Sequence, residues 1–391
     1  MQLSSPRHAV IFCTVIDNFG DIGVCWRLAR QLHHEQQWEV TLYVDDLPSF
    51  GRICPALDVG QLTQTVQGIS VVHWQAERLQ FPASLSSIDL CIEAFACEVP
   101  IEFIQALNHA NPAALWVNLE YLTAESWAAD CHLLPSPQRG VRLAKYFFFP
   151  GFTKQTGGLL REQSVVAQAA QVAAQPATHA TYWQQLGLTP PPAGSFVISL
   201  FAYSQQGIAS WFAQLSSAEH PVHIWVADGA LAQALQIEYP ALADGRYQQG
   251  QLSFEVMPFV AQPDYDLLLA LCDLNFVRGE DSVIRAHWAG KPFIWQIYRQ
   301  QDAAHLEKLQ AFLQLMLEDC SAELREFILQ LHLAWEQETD FASCWPEFFR
   351  RYAEIAQYSK IWQQKLIQQQ DLVSNLVRFV ENQHIIRRNF S

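Results

Sequence analysis

Two groups of residues have the types and spacing to do chemistry. The first is the loop D-N-F-G-D-I-G, residues 17–23, which follows the apolar run HAVIFCTVID at residues 8–17. Asp17 and Asp21 bracket this loop at the carboxyl end of a strand, where open α/β sheets hold their ligands. Both carboxylates can face a cleft there. Gly20 and Gly23 are expected to permit a tight turn into the following helix, and Asn18, Phe19 and Gly20 are counted with the acids as substrate-contacting. The loop lacks a complete G-x-G-x-x-G, so it is weak ground for a dinucleotide site. Capping alone would make one aspartate a helix N-cap and the other a solvated loop charge. A second acid in the first turn, with glycine on either side, exceeds what capping requires.

The second group is F-V-R-G-E-D-S-V-I-R-A-H-W-A-G-K-P, residues 276–292. An apolar strand runs through Arg278 and Gly279 into a helix opened by Glu280, Asp281 and Ser282. Free N–H groups at that terminus, with a hydroxyl and an arginine beside them, suit a phosphate or pyrophosphate, and the acids can accept hydrogen bonds from sugar hydroxyls. Capping explains Glu-Asp-Ser but not the Arg-Gly before it. Phe201 and Tyr203 end one strand and Phe259 another, where rings can sandwich a nucleobase; the competing role for such rings is core packing. Gln262 is polar and lies in the loop beyond Phe259, within reach of the same site.

Other motifs carry less. In the aromatic run of residues 145–162, Phe147 and Phe149 read as core on one face and Phe148 as packed under a helix, while residues 156–158 can line the acceptor side. The 13 histidines share no metal-like spacing with Cys, Asp or Glu, so no metal site is expected; His287 and His305 read as helix-packing residues. Neither a G-x-S-x-G elbow nor a P-loop occurs, so hydrolase and kinase readings lose ground.

The elements that must position these groups alternate between buried strand and helix patterns. After the first strand, Val24, Leu28 and Leu32 recur at helical spacing, and WEVTLYVDD resumes as a strand. This βαβ style continues to about residue 125. The composition of residues 163–192 shifts to Ala, Gln, Thr and Pro, with a helix expected near 180–186, and the interdomain crossing is expected there. A second βα series follows, from SFVISLFAY to AAHLEKLQAFL. From Phe348 onward the tail reads as helical throughout, and in residues 371–381 Leu372, Val373, Leu376, Val377 and Val380 form one stripe that can pack back on the first domain. With 391 residues the chain is too long for one ordinary core. The expected division is a first domain of residues 1–184, joined by a helix at about 366–391, and a second of residues 185–365. Two Rossmann-like doubly wound α/β domains facing across a cleft make the GT-B arrangement, an outline shared with phosphorylases, epimerases and periplasmic binding proteins.

Composition narrows the classes. A net charge of −15 speaks against nucleic-acid binding. The nine cysteines form no C-x-x-C pair, which suits a reducing cytoplasm. The start lacks a signal peptide and no run approaches a membrane span, so a cytoplasmic protein without a membrane partner is expected.

Three segments resemble the protein-arginine rhamnosyltransferases that modify bacterial elongation factor P: C-T-V-I-D-N-F-G-D-I-G-V-C-W-R-L-A-R-Q-L, Y-F-F-F-P-G-F-T-x-x-T-G-G-L-L-R-E and F-V-R-G-E-D-S-x-x-R-A-x-W-A-G-K-P-F-x-W-Q-I-Y. The resemblance spans nearly the full chain, with the 163–180 stretch individual to this protein. It implies inverting, metal-independent transfer of L-rhamnose from dTDP-β-L-rhamnose to one arginine of elongation factor P, with no cofactor. It implies Phe201, Tyr203 and Phe259 near thymine and deoxyribose, and Gln262, Arg278, Glu280, Asp281 and Ser282 around the nucleotide sugar, with Gly279 in the same loop. Asp21 is then the expected catalytic carboxylate, with Asp17 holding the acceptor guanidinium or the loop. Two other readings stay open: a GT-B transferase or epimerase with a small-molecule or lipid-linked acceptor, and a non-catalytic nucleotide-sugar sensor.

Overall fold

The computed structural model describes residues 7–16, 19–75, 81–203, 206–298 and 304–390. The chain divides into two compact units, Met1–Glu162 with Gln368–Ser391, and Gln163–Ile367.

The first unit opens with β1 (His8–Cys13), whose residues are all buried, as an unbroken apolar run requires of a strand covered on both faces. Helix α1 (Gly20–Gln36) returns to β2 (Glu39–Val44), and α2 (Leu47–Ile53), β3 (Thr63–Val66) and β4 (Ile69–His73) extend that side. The chain then crosses to β5 (Ile88–Ala94), α3 (Ile101–Ala110), β6 (Leu115–Leu119), α4 (Trp127–Cys131) and β7 (Ala144–Phe148). The sheet order is β3-β4-β2-β1-β5-β6-β7, parallel throughout except where β3 runs against β4. The order in which the chain adds strands reverses between β1 and β5, and a crevice for ligand is expected at the carboxyl ends of that pair.

The second unit begins with α5 (Gln163–Ala174) and α6 (His179–Gln185), then β8 (Phe196–Leu200), α7 (Ile208–Ser216), β9 (Val222–Ala227) and α8 (Ala230–Glu238). It continues through β10 (Arg246–Gln249), β11 (Leu252–Met257), α9 (Gln262–Leu271), β12 (Leu274–Arg278), α10 (Gly279–Ala289) and β13 (Phe293–Gln296). Three helices close it, α11 (Ala304–Met316), α12 (Ala322–Glu336) and α13 (Trp345–Ile367). Its sheet, ordered β10-β11-β9-β8-β12-β13, is parallel except at β10. Here the switch point lies between β8 and β12.

The boundary expected at 184/185 falls instead at 162/163. The Ala/Gln-rich stretch that reads as a crossing carries Val165, Ala169 and Val172 at helical spacing, all buried. Ala169, Val172 and Trp183 pack with Trp225, Leu267 and Leu268 in one cluster, which places α5 and α6 in the second unit.

The tail is not one continuous helix. It breaks after α13, and α14 (Leu372–Phe390) belongs to the first unit. Asp371 starts α14 by accepting from the Ser374 N–H at 3.0 Å. Leu372, Val373, Leu376 and Val380 are buried in the predicted stripe, and the Phe379 ring meets Tyr146 edge-on at 5.1 Å. Residues 156–158, expected to line the acceptor side, are buried and anchor this return. The Gly157 carbonyl accepts from Asn375 Nδ2 at 3.0 Å. Gly158 has φ +81°, and a Cβ there would stand 2.5 Å from the Gln370 carbonyl oxygen, so only glycine fits. Of the neighbouring rings, Phe148 and Phe149 are buried and Phe147 is half-buried.

Candidate active site

In the first unit the candidate residues gather at the β1/β5 switch point. Helix α1 begins at Gly20, and neither Gly20 nor Gly23 takes a positive φ. The turn expected of these glycines is therefore not theirs; both lie in the helix. Asp21, in that first turn, is 2% exposed. Its Oδ2 accepts from the Ile16 N–H at 2.8 Å and its Oδ1 from the Tyr121 hydroxyl at 3.3 Å. A carboxylate this buried, with a donor on each oxygen, is not a solvated loop charge, and it has the chemistry of a preorganised base or cation ligand. The Phe19 ring lies under the Arg52 guanidinium, 5.4 Å from the ring centroid. Asp45 steadies the same loop by accepting from the Val15 N–H at 2.9 Å, and burial pushes its carboxyl up. Asp17 and Asn18 lie outside the described residues.

Four residues that sequence reasoning did not single out complete this end of the sheet. Tyr121, just beyond β6, stacks on Phe95 with ring centroids 4.5 Å apart and planes within 15°. Phe95 and Ala96 have φ of +56° and +54°, a left-handed conformation that L residues seldom hold. Asn118 stabilises the turn, its Oδ1 accepting from the Ala96 N–H at 3.1 Å. The motif N-L-E-Y carried no signal for this role, because the partners of Tyr121 come from α1 and from the turn after β5.

In the second unit the predicted donor residues collect at the β8/β12 switch point. Phe201 follows β8 and is tied to β12 by its N–H, which donates to the Phe276 carbonyl at 3.1 Å. The Arg278 guanidinium lies 4.2 Å from the Phe201 ring centroid and 4.6 Å from that of Tyr203. Its Nη1 donates to the Ala202 carbonyl at 3.4 Å. Gln296, buried at the end of β13, accepts from the Tyr203 N–H at 2.8 Å. Gly279, with φ +61°, turns the chain directly into α10. The Ser282 hydroxyl folds back, donating to the Arg278 carbonyl and accepting from the Arg278 N–H at 3.1 Å. Arginine, glycine and serine thus form one structural unit at the helix terminus, which offers backbone donors to an anion.

The acids here already have partners. Glu280 pairs with Lys308 of α11 at 2.9 Å, and Asp281 accepts from Gln262 Nε2 at 3.3 Å. Gln262 is not in the loop as expected; it is the first residue of α9 and buried, because Pro263 behind it sets the first turn of that helix. Tyr265, one turn on, meets Phe201 edge-on at 6.1 Å, and burial, then the nearby Asp281 charge, pushes its phenol up. Phe259 is half-buried between β11 and α9. His287 is a core residue of α10, accepting at Nδ1 from the Trp362 indole at 3.3 Å. All nine cysteines are free thiols. Among the described residues no helix is long and apolar enough to cross a membrane.

Comparison with known proteins identifies the arrangement. The family of Elongation-Factor P (EF-P) rhamnosyltransferase EarP matches residues 9–381. A protein-arginine rhamnosyltransferase of Pseudomonas putida is 42% identical over 376 residues, covering 95% of this chain and 98% of that protein. A structure solved as the basis for EarP-mediated arginine glycosylation of translation elongation factor EF-P superposes with a TM-score of 0.67 at 30% identity, over 96% of this chain and 99% of that one. The glycosyltransferase VinC, solved with dTDP, shares the fold alone, with a TM-score of 0.50 and 10% identity over 96% of this chain and 100% of that one. Two Rossmann-like units in this order are the GT-B fold.

Proposed function

Since the chain belongs to the elongation-factor P rhamnosyltransferase family, we propose that it is a protein-arginine rhamnosyltransferase that moves L-rhamnose from dTDP-β-L-rhamnose to one arginine side chain of elongation factor P, with inversion at the anomeric carbon. The observation that carries this reading is the pairing of chemistries at the two switch points. One holds a buried carboxylate, Asp21. The other holds Arg278, over two aromatic rings, at the start of α10.

The roles follow from what each group can do. Phe201, Tyr203 and Phe259 take the thymine and deoxyribose by their ring faces. Arg278 and the first N–H groups of α10, around Gly279 and Ser282, take the diphosphate and stabilise its charge as it leaves, without a metal ion. Gln262, Glu280 and Asp281 meet the sugar hydroxyls. The acceptor guanidinium, protonated at any accessible pH with a pKa above about 12, is a poor nucleophile while its charge is delocalised. Asp21, with Asp17, hydrogen-bonds to it and localises that charge on some nitrogens. One nitrogen then attacks the anomeric carbon, the bond from carbon to the dTDP oxygen breaks with its electron pair on dTDP, and a guanidinium proton passes to Asp21. The acidic balance of the chain favours a basic acceptor surface, and we place the reaction in the cytoplasm.

The test is intact-protein mass spectrometry of elongation factor P incubated with the enzyme and dTDP-L-rhamnose, followed by peptide mapping. One deoxyhexose on one arginine is the expected result. An unmodified factor, with dTDP-rhamnose binding verified by calorimetry, would overturn the acceptor assignment and leave the donor site standing.

A further inference from the structure

We propose that Tyr121 is a positioning residue for Asp21, and that the left-handed turn after β5 exists to hold it; this rests on the reading of Asp21 as the base. The Ile16 N–H fixes only one oxygen of the carboxylate, at 2.8 Å. Rotation about the bond to an aspartate carboxyl is soft, with broad wells in place of three sharp rotamers, so a donor on the second oxygen narrows the planes open to the group. The Tyr121 hydroxyl reaches the other oxygen at 3.3 Å. Together the two donors set the plane and therefore the direction in which the carboxylate presents its lone pairs to a guanidinium.

A tyrosine 38% exposed needs a platform to do this. Phe95 supplies it, stacked at 4.5 Å, and the position of Phe95 comes from backbone that L residues disfavour. Phe95, Ala96 and Glu98 all have φ between +53° and +56°. Such a conformation persists only where its surroundings over-determine it, and here they do. The Phe95 N–H donates to the Leu119 carbonyl at 2.7 Å, two residues before Tyr121. Asn118 Oδ1 takes the Ala96 N–H at 3.1 Å while its Nδ2 donates to Glu120 at 2.5 Å, which fixes the amide's orientation. The Cys97 thiol donates to the Phe12 carbonyl of β1 at 3.3 Å. The turn is therefore bolted to both strands that flank it, and the ring it presents bears on Tyr121. Packing alone does not call for a hydroxyl at 121, since phenylalanine stacks on Phe95 as well.

The experiment compares Tyr121→Phe, Phe95→Leu, their double variant and Asp21→Asn in the full-length enzyme, with kcat, both KM values and Tm measured for each. For Tyr121→Phe the expected result is a fall in kcat of about tenfold, the loss of one hydrogen bond to a charged group, with both KM values within about twofold and Tm unchanged. Phe95→Leu lowers kcat through the same hydroxyl, so the double variant is no slower than the slower single. An unchanged kcat in Tyr121→Phe, with Asp21→Asn inactive, overturns the positioning role and spares Asp21. A rise in acceptor KM alone also overturns it, making Tyr121 an acceptor contact. Full turnover in Asp21→Asn overturns the reading of Asp21 itself.

Discussion

Replacing Arg278 with lysine keeps the charge at the start of α10 and removes the plane. In the native chain the guanidinium lies 4.2 Å and 4.6 Å from two ring centroids and donates to a carbonyl at 3.4 Å. Ring contacts of this kind contribute about 0.5–1 kcal/mol each where solvent reaches them, and a compact ammonium can keep only one. The unliganded enzyme therefore loses on the order of 1 kcal/mol, a fall in Tm of roughly 2–4 °C for a domain of this size. The liganded enzyme loses more. A guanidinium held over two ring faces can present its remaining N–H groups as a fork to a diphosphate, and lysine makes a single point contact in its place. One charge-assisted hydrogen bond amounts to about 1.5–3 kcal/mol, so Kd for dTDP rises between about tenfold and a hundredfold. Calorimetric titration of dTDP into Arg278→Lys, beside Arg278→Ala, gives the answer. If lysine binds dTDP within twofold of the native enzyme while alanine does not, charge alone matters and the stacked geometry has no part in recognition.

Two further outcomes follow from the same geometry. Ala96→Gly removes a side chain from a residue with φ +54°: relief of about 1–2 kcal/mol outweighs the entropy of glycine in the unfolded chain, about 0.5–1 kcal/mol. The variant melts a few degrees higher and turns over more slowly, because the platform under Tyr121 loosens; a lower Tm would contradict the left-handed turn. The second outcome concerns acid. Burial pushes the imidazoles of His223 and His287 down to about 3 and that of His332 to about 4. In the unfolded chain they titrate near 6.5, so below that pH the unfolded state binds protons that the native state refuses. The stabilisation is complete above about pH 6.5 and is lost as pH falls toward the folded values. By pH 5 the loss is roughly 2 kcal/mol per histidine, all within the second unit. Urea unfolding at pH 7.5 and pH 5, with His287→Gln as the variant of shallower pH dependence, checks this; equal midpoints at the two pH values would refute it.

Periodicity and punctuation carried most of the architecture, since both report on burial along a single element. The unbroken apolar run of β1 and the stripe on α14 are of this kind, as is the passage from β12 through Arg278 and Gly279 into α10. What sequence could not disclose is which elements become neighbours. Chain order reverses at β1 in one sheet and at β8 in the other, and that reversal brings Tyr121 to Asp21 from a hundred positions away. The same holds for Lys308 beside Glu280 and for Gln262 beside Asp281. Composition misled at residues 163–192 because alanine and glutamine read as a linker, although three small apolar side chains at helical spacing suffice to bury one face of α5. Glycine misled at residues 20 and 23 because its freedom to turn is a permission and not a requirement, and both residues are helical here. The candidate side chains could be picked out by their types. The residues that aim them could not, because aiming is done across strands, by groups such as Phe95 whose own conformation is held by contacts distant in the chain.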